Sequence, residues 1–149
     1  MGESPRRGRM NLGILCFIPA REMETRVLKA VAAAGFDDIT LAQGRVLQRI
    51  GWEGTRMTDL AEQARVTKQT ATFLIGQLER AGYVERVPDP SDARARLVRI
   101  AARGRAALEV AMEAEAEVEA EWMRHLGRRD ADRLRRILTR LREITDPYQ

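Results

Sequence analysis

The sequence is poor in the side chains on which most catalytic and metal sites depend. Its 149 residues include one cysteine, Cys16, and one histidine, His125. A single cysteine cannot form an intrachain disulfide, which fits a reducing cytoplasm, and these two side chains are too few to hold zinc. No pair of nucleophile and base and no glycine-rich phosphate loop is present. The sequence therefore predicts neither an enzyme nor a metal or cofactor site.

Long apolar runs are also missing. The apolar stretch over residues 12–18 is far shorter than the roughly 20 residues that cross a bilayer, and charges resume at Arg21. The stretch also lacks the small-residue cleavage pattern of a signal peptide. We therefore expect it to begin a helix in a soluble, cytoplasmic protein.

Lysine is scarce although the chain is basic. The formal charge is +4 and the sequence pI is about 10.0, yet the lysines are Lys29 and Lys68 alone. A basic balance favours an anionic partner such as nucleic acid, a membrane surface or an acidic protein. The planar fork of arginine suits phosphates and base edges. Genomic base composition would enrich arginine equally, so charge alone leaves the partner open.

Helical periodicity covers both ends of the chain. Residues 1–9 are basic and contain Gly, Ser and Pro, which predicts a flexible arm. Residues 12–34 predict a helix that Pro19 kinks or breaks near Ile18. Residues 101–125 predict a long connecting helix, and a last helix follows it. The apolar residues of the last helix share one face: Leu134, Ile137, Leu138, Leu141 and Ile144.

The middle of the chain predicts a succession of short elements. Thr40 and Gln43 form a capping-box pattern for a helix that ends at Gly51. Two short helices follow, with Thr58 and Thr67 as their caps. A strand, a turn-rich Pro-Asp-Pro-Ser-Asp tip and a returning strand then form a hairpin, which must pack against the helices because two short strands are unstable alone. This order is that of a winged helix-turn-helix.

The second short helix, residues 68–81, has two distinct faces. In a helix-turn-helix this helix enters the DNA major groove while the first helix braces it. Gln69 and Thr72 point outward and can hydrogen-bond to base edges, and Lys68 is placed for a phosphate. An amphipathic helix whose polar face meets water fits the same pattern. The residues with core spacing are Ala71, Leu74, Ile75 and Leu78.

Two features favour DNA binding over that simpler interpretation. Phe73 is an aromatic on the outward face, where it either touches a thymine methyl group or packs on a neighbouring loop. The hairpin tip carries Asp92, Arg94 and Arg96, and Arg86 lies on the flanking strand. An arginine at the end of a thin hairpin fits a narrow minor groove, where the negative potential is strongest.

The segment Asp-Pro-Ser-Asp-Ala-Arg-Ala-Arg, residues 89–96, resembles the wing motif of the MarR family of transcriptional regulators. The resemblance extends from about Leu12 to the last helix. It implies that Arg94 is the wing-tip arginine and that Asp92 orients it. Phe73 departs from the family pattern, because many relatives carry a basic residue there. The expected DNA-binding residues are Thr58, Thr67, Lys68, Gln69, Thr70, Thr72, Phe73, Arg86, Asp92, Arg94 and Arg96.

The resemblance also implies a homodimer, because the first and last helices of family members interlock. Here residues 10–34 and 122–148 would form the helical dimerisation region, and residues 38–105 the DNA-binding region. The two copies would bind a pseudo-palindromic operator, with half-sites about one helical turn apart. The expected fold is mainly α with a small β-hairpin wing, and the expected partners are double-stranded DNA and a second copy of the chain.

Many family members release DNA when a small molecule, often aromatic or anionic, binds between these two regions. Cys16 also resembles the cysteine of the organic-hydroperoxide-sensing branch, although the tyrosines that surround that cysteine have no counterpart on the first helix here. The expected effector-binding residues, for which packing in an ordinary core is the simpler alternative, are Cys16, Pro19, Ala20, Arg21, Trp52 and Met57.

The resulting expectation is a sequence-specific DNA-binding regulator, by family habit a repressor. The alternative is a winged-helix module that binds other proteins without specific DNA binding. The basic wing argues against that alternative, and the absence of salt-dependent DNA binding would argue for it.

Overall fold

The computed structural model describes residues 9–148, so the predicted basic arm lies, apart from Arg9, outside the described residues. Over this range the chain forms six helices and three strands. The helices are α1 (Leu12–Ala33), α2 (Leu41–Leu47), α3 (Met57–Gln63), α4 (Lys68–Arg80), α5 (Ala102–Leu126) and α6 (Arg128–Thr145). The strands are β1 (Thr55–Arg56), β2 (Val84–Asp89) and β3 (Asp92–Ile100). The predicted mainly helical fold with a small β wing is confirmed.

Local capping chemistry sets the start of two helices of the DNA-binding region. At α2 the Gln43 N–H donates to Thr40 Oγ1 (3.2 Å), and the Thr40 N–H donates to Gln43 Oε1 (3.0 Å), which is the predicted capping box. Thr67 caps α4 as predicted. These side chains satisfy backbone donors that the first helical turn leaves free.

Two predicted helix boundaries are wrong. α2 ends at Leu47 rather than at Gly51, because the chain turns immediately after it. α3 begins at Met57, and Thr58 does not cap it. The N-cap position belongs to Arg56, whose extended backbone is held in β1 and whose side chain makes no capping hydrogen bond. Strand pairing, rather than a capping side chain, therefore sets the start of α3.

Pro19 does not break α1, which runs without interruption as one helix. Because proline has no N–H, the carbonyl of Leu15 loses its helical partner. The buried residues of α1, Val27 and Val31, both follow the proline, in the half of the helix that packs into the core. The half that precedes the proline is exposed.

The three strands form one antiparallel sheet in the order β1-β3-β2. β1, which the sequence did not predict, consists of two residues that pair with Val98 and Leu97 of β3. The β2–β3 ladder begins with Val84 opposite Ile100. The segment that precedes α3 is therefore tied directly to the wing.

α4 buries the face that its spacing predicts. Leu60 of α3 and Ile75 of α4 are both 0% exposed, and together they belong to the single core that α4 shares with its neighbours. Burial of each such aliphatic side chain contributes roughly 1.5–3 kcal/mol. α4 is thus fixed in rotation about its axis. Its buried residues are Ala71, Leu74, Ile75 and Leu78.

The long helices are connected by ion pairs. Glu121 of α5 pairs with Arg26 of α1 (2.7 Å), and Glu119 pairs with Arg135 of α6. α5 gives way to α6 at Gly127, whose φ of +80° is readily adopted by glycine. Within residues 9–148, no helix has both the length and the hydropathy that a membrane span requires.

Candidate nucleic-acid interface

The exposed start of α4 is organised by a short chain of hydrogen bonds. Thr67 Oγ1 accepts from the Thr70 N–H (3.0 Å) and donates to Thr70 Oγ1 (2.8 Å). The Thr70 hydroxyl therefore keeps its own proton for an external acceptor. Lys68 and Gln69 are exposed beside it. An ammonium group, an amide, a hydroxyl and the free first-turn N–H groups are the groups that bind phosphates at a helix N-terminus.

The outward face of α4 continues with Thr72 and Phe73, both exposed. The Thr72 hydroxyl donates to the Lys68 carbonyl (2.8 Å), so its oxygen remains available as an acceptor. Gln77, one turn further along α4, lies differently. Its Oε1 accepts from Gln43 Nε2 (3.0 Å), so it braces α4 against α2.

The wing is shaped differently from the prediction. β3 begins at Asp92, and the tip consists of Pro90 and Ser91 alone. Arg94 and Arg96, which were predicted at the tip, therefore lie on the strand. The reason is that cross-strand pairing continues up to the turn itself, so the hairpin is longer and its loop shorter than the turn-forming residues indicated.

Arg94 lies in a bulge of β3. The pairing register shifts at the Pro88–Asp89 step, so residues 93–95 have no counterpart on β2. Asp92 Oδ1 accepts from the Arg94 backbone N–H (3.0 Å). The resemblance implied that Asp92 orients the Arg94 side chain; instead Asp92 fixes the Arg94 backbone. Within residues 9–148 the exposed Arg94 guanidinium has no acidic partner.

Asp89 organises the wing tip, a role that the sequence analysis missed. Its carboxylate is only 5% exposed, accepts from the Ser91 N–H (2.8 Å) and hydroxyl (2.7 Å), and pairs with Arg56 of β1 (2.7 Å). The pKa of Asp89 is lowered most by the hydrogen bond from the Ser91 hydroxyl, then by the Ser91 N–H and by Arg56. Asp two residues before Ser is a turn signal that could have revealed the first contact. Arg56 is remote in sequence, so nothing local indicated the second.

The basic residues of the interface divide by whether they are already paired. Arg86, a predicted DNA contact, donates to Glu79 (2.7 Å) and thereby joins β2 to α4. Lys68, Arg94 and Arg96 are exposed, and none has an acidic partner within residues 9–148. A phosphate would therefore meet unpaired charge at the start of α4 and on β3.

The predicted DNA-binding residues are all exposed and fall on four elements. Thr58 lies in the first turn of α3, and Arg86 lies on β2. The α4 set consists of its N-cap and exposed side chains: Thr67, Lys68, Gln69, Thr70, Thr72 and Phe73. The β3 set is Asp92, Arg94 and Arg96.

Behind the wing, a partly buried network joins the start of β2 to the start of α5. Tyr83 is 0% exposed, and its hydroxyl donates to the Asp38 carboxylate. Arg103 donates to Asp38 (3.1 Å) and to the Ala81 carbonyl (2.5 Å), and its guanidinium carbon lies 4.3 Å from the Tyr83 ring centroid. Burial and the contact with Asp38 raise the pKa of Tyr83 to about 12. The phenol thus remains a hydrogen-bond donor at neutral pH.

A largely apolar cavity of about 480 Å³ lies between α1, α2 and α5. Ala20 and Trp52, from the predicted effector-binding set, line it. α1 contributes Met23 and Val27 to the lining, since the face that packs toward α5 lies further along the helix than predicted. The structure therefore does not bring the predicted set together. Four of its members lie outside the lining: Cys16, Pro19, Arg21 and Met57.

The charged groups at the cavity are mainly acidic. Glu24 of α1 pairs with Arg45 of α2 (2.9 Å), which raises the pKa of Arg45. Glu115 of α5 is a second carboxylate in the lining. The Glu24–Arg45 pair joins the long first helix to the DNA-binding region. A molecule bound in the cavity would therefore lie beside the contact between α1 and α2.

Within residues 9–148, two apolar helix surfaces remain uncovered in the single chain. Ala131 is the buried residue of α6, so most of this helix makes little contact with the rest of the chain. Isolated exposed apolar residues are common, but contiguous patches indicate an interaction surface. The exposed large hydrophobic residues of α1 are Leu12, Ile14, Leu15, Phe17 and Ile18, from 40% to 73% exposed. Those of α6 are Leu134, Ile137, Leu138, Leu141 and Ile144, from 39% to 85% exposed.

A short helix, a tight turn, a second helix with an exposed polar face and an antiparallel wing define a winged helix-turn-helix DNA-binding domain. The sequence profile of the MarR family matches residues 37–95. The resemblance seen in the wing motif is therefore confirmed over these residues. In residues 9–148 no group of three or more potential ligands is arranged to hold a metal ion.

Individual relatives agree with this assignment. The transcriptional activatory protein BadR of Rhodopseudomonas palustris is 46% identical over 57 residues, which cover 38% of this chain and a third (33%) of that protein. The crystal structure of MarR superposes with a TM-score of 0.73 and 25% identity, covering 91% of this chain and 98% of the other. The Mycobacterium tuberculosis MarR family protein Rv2887, in complex with salicylic acid, superposes with a TM-score of 0.66 and 26% identity, covering 90% of this chain and 98% of the other. The family and these relatives are transcriptional regulators, not enzymes.

Proposed function

We propose that the protein regulates transcription by binding double-stranded DNA in a sequence-specific manner. The observation that carries this proposal is the exposed polar face of α4, followed by a wing whose Arg94 and Arg96 have no acidic partner in the described part of the chain. α4 enters the major groove, as in other helix-turn-helix proteins. Arg94, presented by the bulge in β3, enters the adjacent minor groove.

The residues of the interface have different roles in DNA binding. Gln69 and Thr72 face the base edges, and Lys68 contacts a phosphate beside the first turn of α4. Thr58 at the start of α3 contributes a further phosphate contact. Arg86 and Asp92 act indirectly, since the first fixes β2 to α4 and the second fixes the backbone of the bulge. Thr67 and Thr70 organise and complete the phosphate contact at the N-terminus of α4.

The proposal includes a homodimer formed by the uncovered apolar faces of α1 and α6. A twofold interface uses the same patch on both copies, so the exposed faces of each copy are covered by those of the other. The two α4 helices then bind a pseudo-palindrome. Steric exclusion of RNA polymerase makes repression the expected outcome, whereas BadR, the relative named above, carries the word activatory in its name.

The first test is binding of the purified protein to its own upstream DNA across a salt series. Arg94→Ala should weaken binding at least about tenfold, since it removes a charge-assisted hydrogen bond in each half-site. It should also reduce the salt slope by roughly one for each phosphate that is no longer neutralised. Arg99→Ala is the matched control on the same strand, because Arg99 is already paired with Glu85 (2.7 Å). Absence of binding at low salt would favour the protein-interaction module instead.

We further propose that the cavity between α1, α2 and α5 binds a small aromatic effector that releases DNA. Its apolar lining suits an aromatic ring, and Rv2887, which shares the fold, was crystallised with salicylic acid. The lining favours a neutral aromatic molecule over an anionic one, because the one guanidinium in the lining, that of Arg45, is already bound by Glu24. Release requires that the molecule bind the DNA-incompetent state more tightly.

This effector hypothesis predicts a difference between ligand charges. A neutral aromatic such as salicylamide should raise the melting temperature of the protein, and weaken its binding to DNA, more than salicylate does. Ala111→Leu, which fills part of the cavity from α5, should abolish both effects while leaving the affinity for DNA in the absence of ligand unchanged. A panel of neutral, anionic and cationic aromatics that changes neither quantity would contradict the hypothesis.

A further inference from the structure

Phe73 is the exception among the side chains of α3, α4 and the three strands. Between residues 55 and 100, all of which the structure describes, it is the one large hydrophobic side chain that is exposed. Its exposed fraction is 61%, whereas Ala71 and Ile75 on the opposite side of the same helix are at 0%. The ring therefore lies on the face proposed to enter the major groove.

Residues 9–148 leave most of this ring uncovered. The aromatic and cation–π contacts of the described chain involve Phe17, Phe36 and Tyr83 rather than Phe73. The residue one turn further along, Gly76, has no side chain, and a Cβ placed there would meet Arg80 Nη1 alone, at 3.5 Å. The uncovered faces assigned to the dimer lie on α1 and α6. The ring thus lies mostly uncovered on the outer surface of α4 in the part of the chain that the structure describes.

We propose that Phe73 is a specificity-determining residue that contacts the methyl group of a thymine in each half-site, an inference that rests on the proposed DNA binding. A benzyl side chain has no hydrogen-bond donor or acceptor for a base edge. In the major groove the bases offer donors and acceptors, and thymine alone among the four adds an apolar group, its C5-methyl. Burial of the ring against this methyl group favours T at one position, and cytosine, which lacks the methyl, offers the ring less apolar surface to pack against.

The neighbours of Phe73 locate that thymine. Gln69 precedes it by one helical turn, about 6 Å along the axis, and glutamine pairs best with adenine. Since base pairs are stacked 3.4 Å apart, the thymine lies within about two base pairs of the base that Gln69 contacts. Removal of one methyl group from the interface corresponds to about fourfold in affinity for each half-site.

The experiment uses a duplex selected from a randomised library by the wild-type protein. Each thymine is replaced in turn by deoxyuridine, which removes only the methyl group. We expect one thymine in each half-site at which the wild-type protein loses about fourfold in affinity, and Phe73→Ala should lose this sensitivity. Thr72→Ala, the control on the same face, should bind more weakly overall but retain the sensitivity. Replacing the thymine by cytosine and then by 5-methylcytosine should weaken and partly restore wild-type binding.

The outcomes separate this inference from the function on which it rests. If the library yields no selected duplex, the proposed sequence-specific binding itself fails. If a duplex is selected but Phe73→Ala shows the same response to deoxyuridine as wild type at every thymine, DNA binding stands and the role of Phe73 is overturned. Unchanged thermal unfolding of Phe73→Ala, expected for so exposed a side chain, confirms that the variant is folded.

Discussion

Replacement of Gly104 by alanine is expected to lower the free energy of unfolding by about 3 kcal/mol, as overpacking against rigid backbone does. Gly104 is buried in the first turn of α5. A Cβ there would overlap the Tyr83 carbonyl oxygen and lie 2.9 Å from Ile100 Cγ2. That oxygen accepts from the Ala101 N–H (2.9 Å), so moving it away also costs a buried hydrogen bond. The clash would therefore push the first turn of α5 away from the start of β2.

Gly44→Ala is the matched control for this prediction. Gly44 lies within α2, and a Cβ there would meet nothing within 4 Å. Alanine is favoured over glycine in a helix by up to about 1 kcal/mol, so the same substitution should here be neutral or stabilising. Urea unfolding of both variants at one protomer concentration measures the difference, since a dimer's stability depends on concentration. A Gly104→Ala variant as stable as wild type would contradict the packing of α5 on β2.

The parts of the fold that the sequence predicted are those set by local chemistry. The capping box at Thr40 and the cap at Thr67 involve residues three apart, so their pattern is visible in the sequence itself. The core face of α4 follows from its 3.6-residue period. These local rules led correctly to a winged helix-turn-helix and to the exposed face of its second helix.

The parts that could not be predicted depend on contacts between remote segments. β1 has two residues, too few for a period, and exists because β3 offers it a partner. Likewise, the ion pair of Arg56 with Asp89 and the contact of Tyr83 with Asp38 join residues far apart in the chain. The bulge that carries Arg94 depends on the register between strands, which turn residues alone do not fix.

The effector-binding set shows the same limit of local patterns on α1. Its sequence is apolar around most of its circumference before Pro19, so the period does not reveal which face turns inward. Packing against α5 decides this, and it selects Met23 and Val27 rather than Cys16 or Arg21. Of the expected set, Ala20 and Trp52 lie at the lining of the cavity.

Leu138→Glu is expected to convert the proposed dimer to monomers and to abolish tight DNA binding. Leu138 is 41% exposed in the single chain and lies in the middle of the apolar face of α6. Burial of one leucine contributes roughly 2 kcal/mol, and twofold symmetry counts each change twice. The dimer dissociation constant should therefore rise by about a thousandfold or more. A monomer retains one α4 and one wing, so it binds one half-site without the gain from linkage to the second.

Thr139→Glu provides the control, because it introduces the same charge at an exposed position on the opposite face of α6, where the Thr139 hydroxyl donates to the Arg135 carbonyl (2.8 Å). Light scattering across a range of protein concentrations should show Leu138→Glu as a monomer and Thr139→Glu as a dimer, and DNA affinity should follow the oligomeric state. A Leu138→Glu variant that remains dimeric would place the interface elsewhere. A monomeric variant with wild-type affinity would show that one copy is sufficient, because affinity then comes from a single α4 and wing rather than from two linked half-sites.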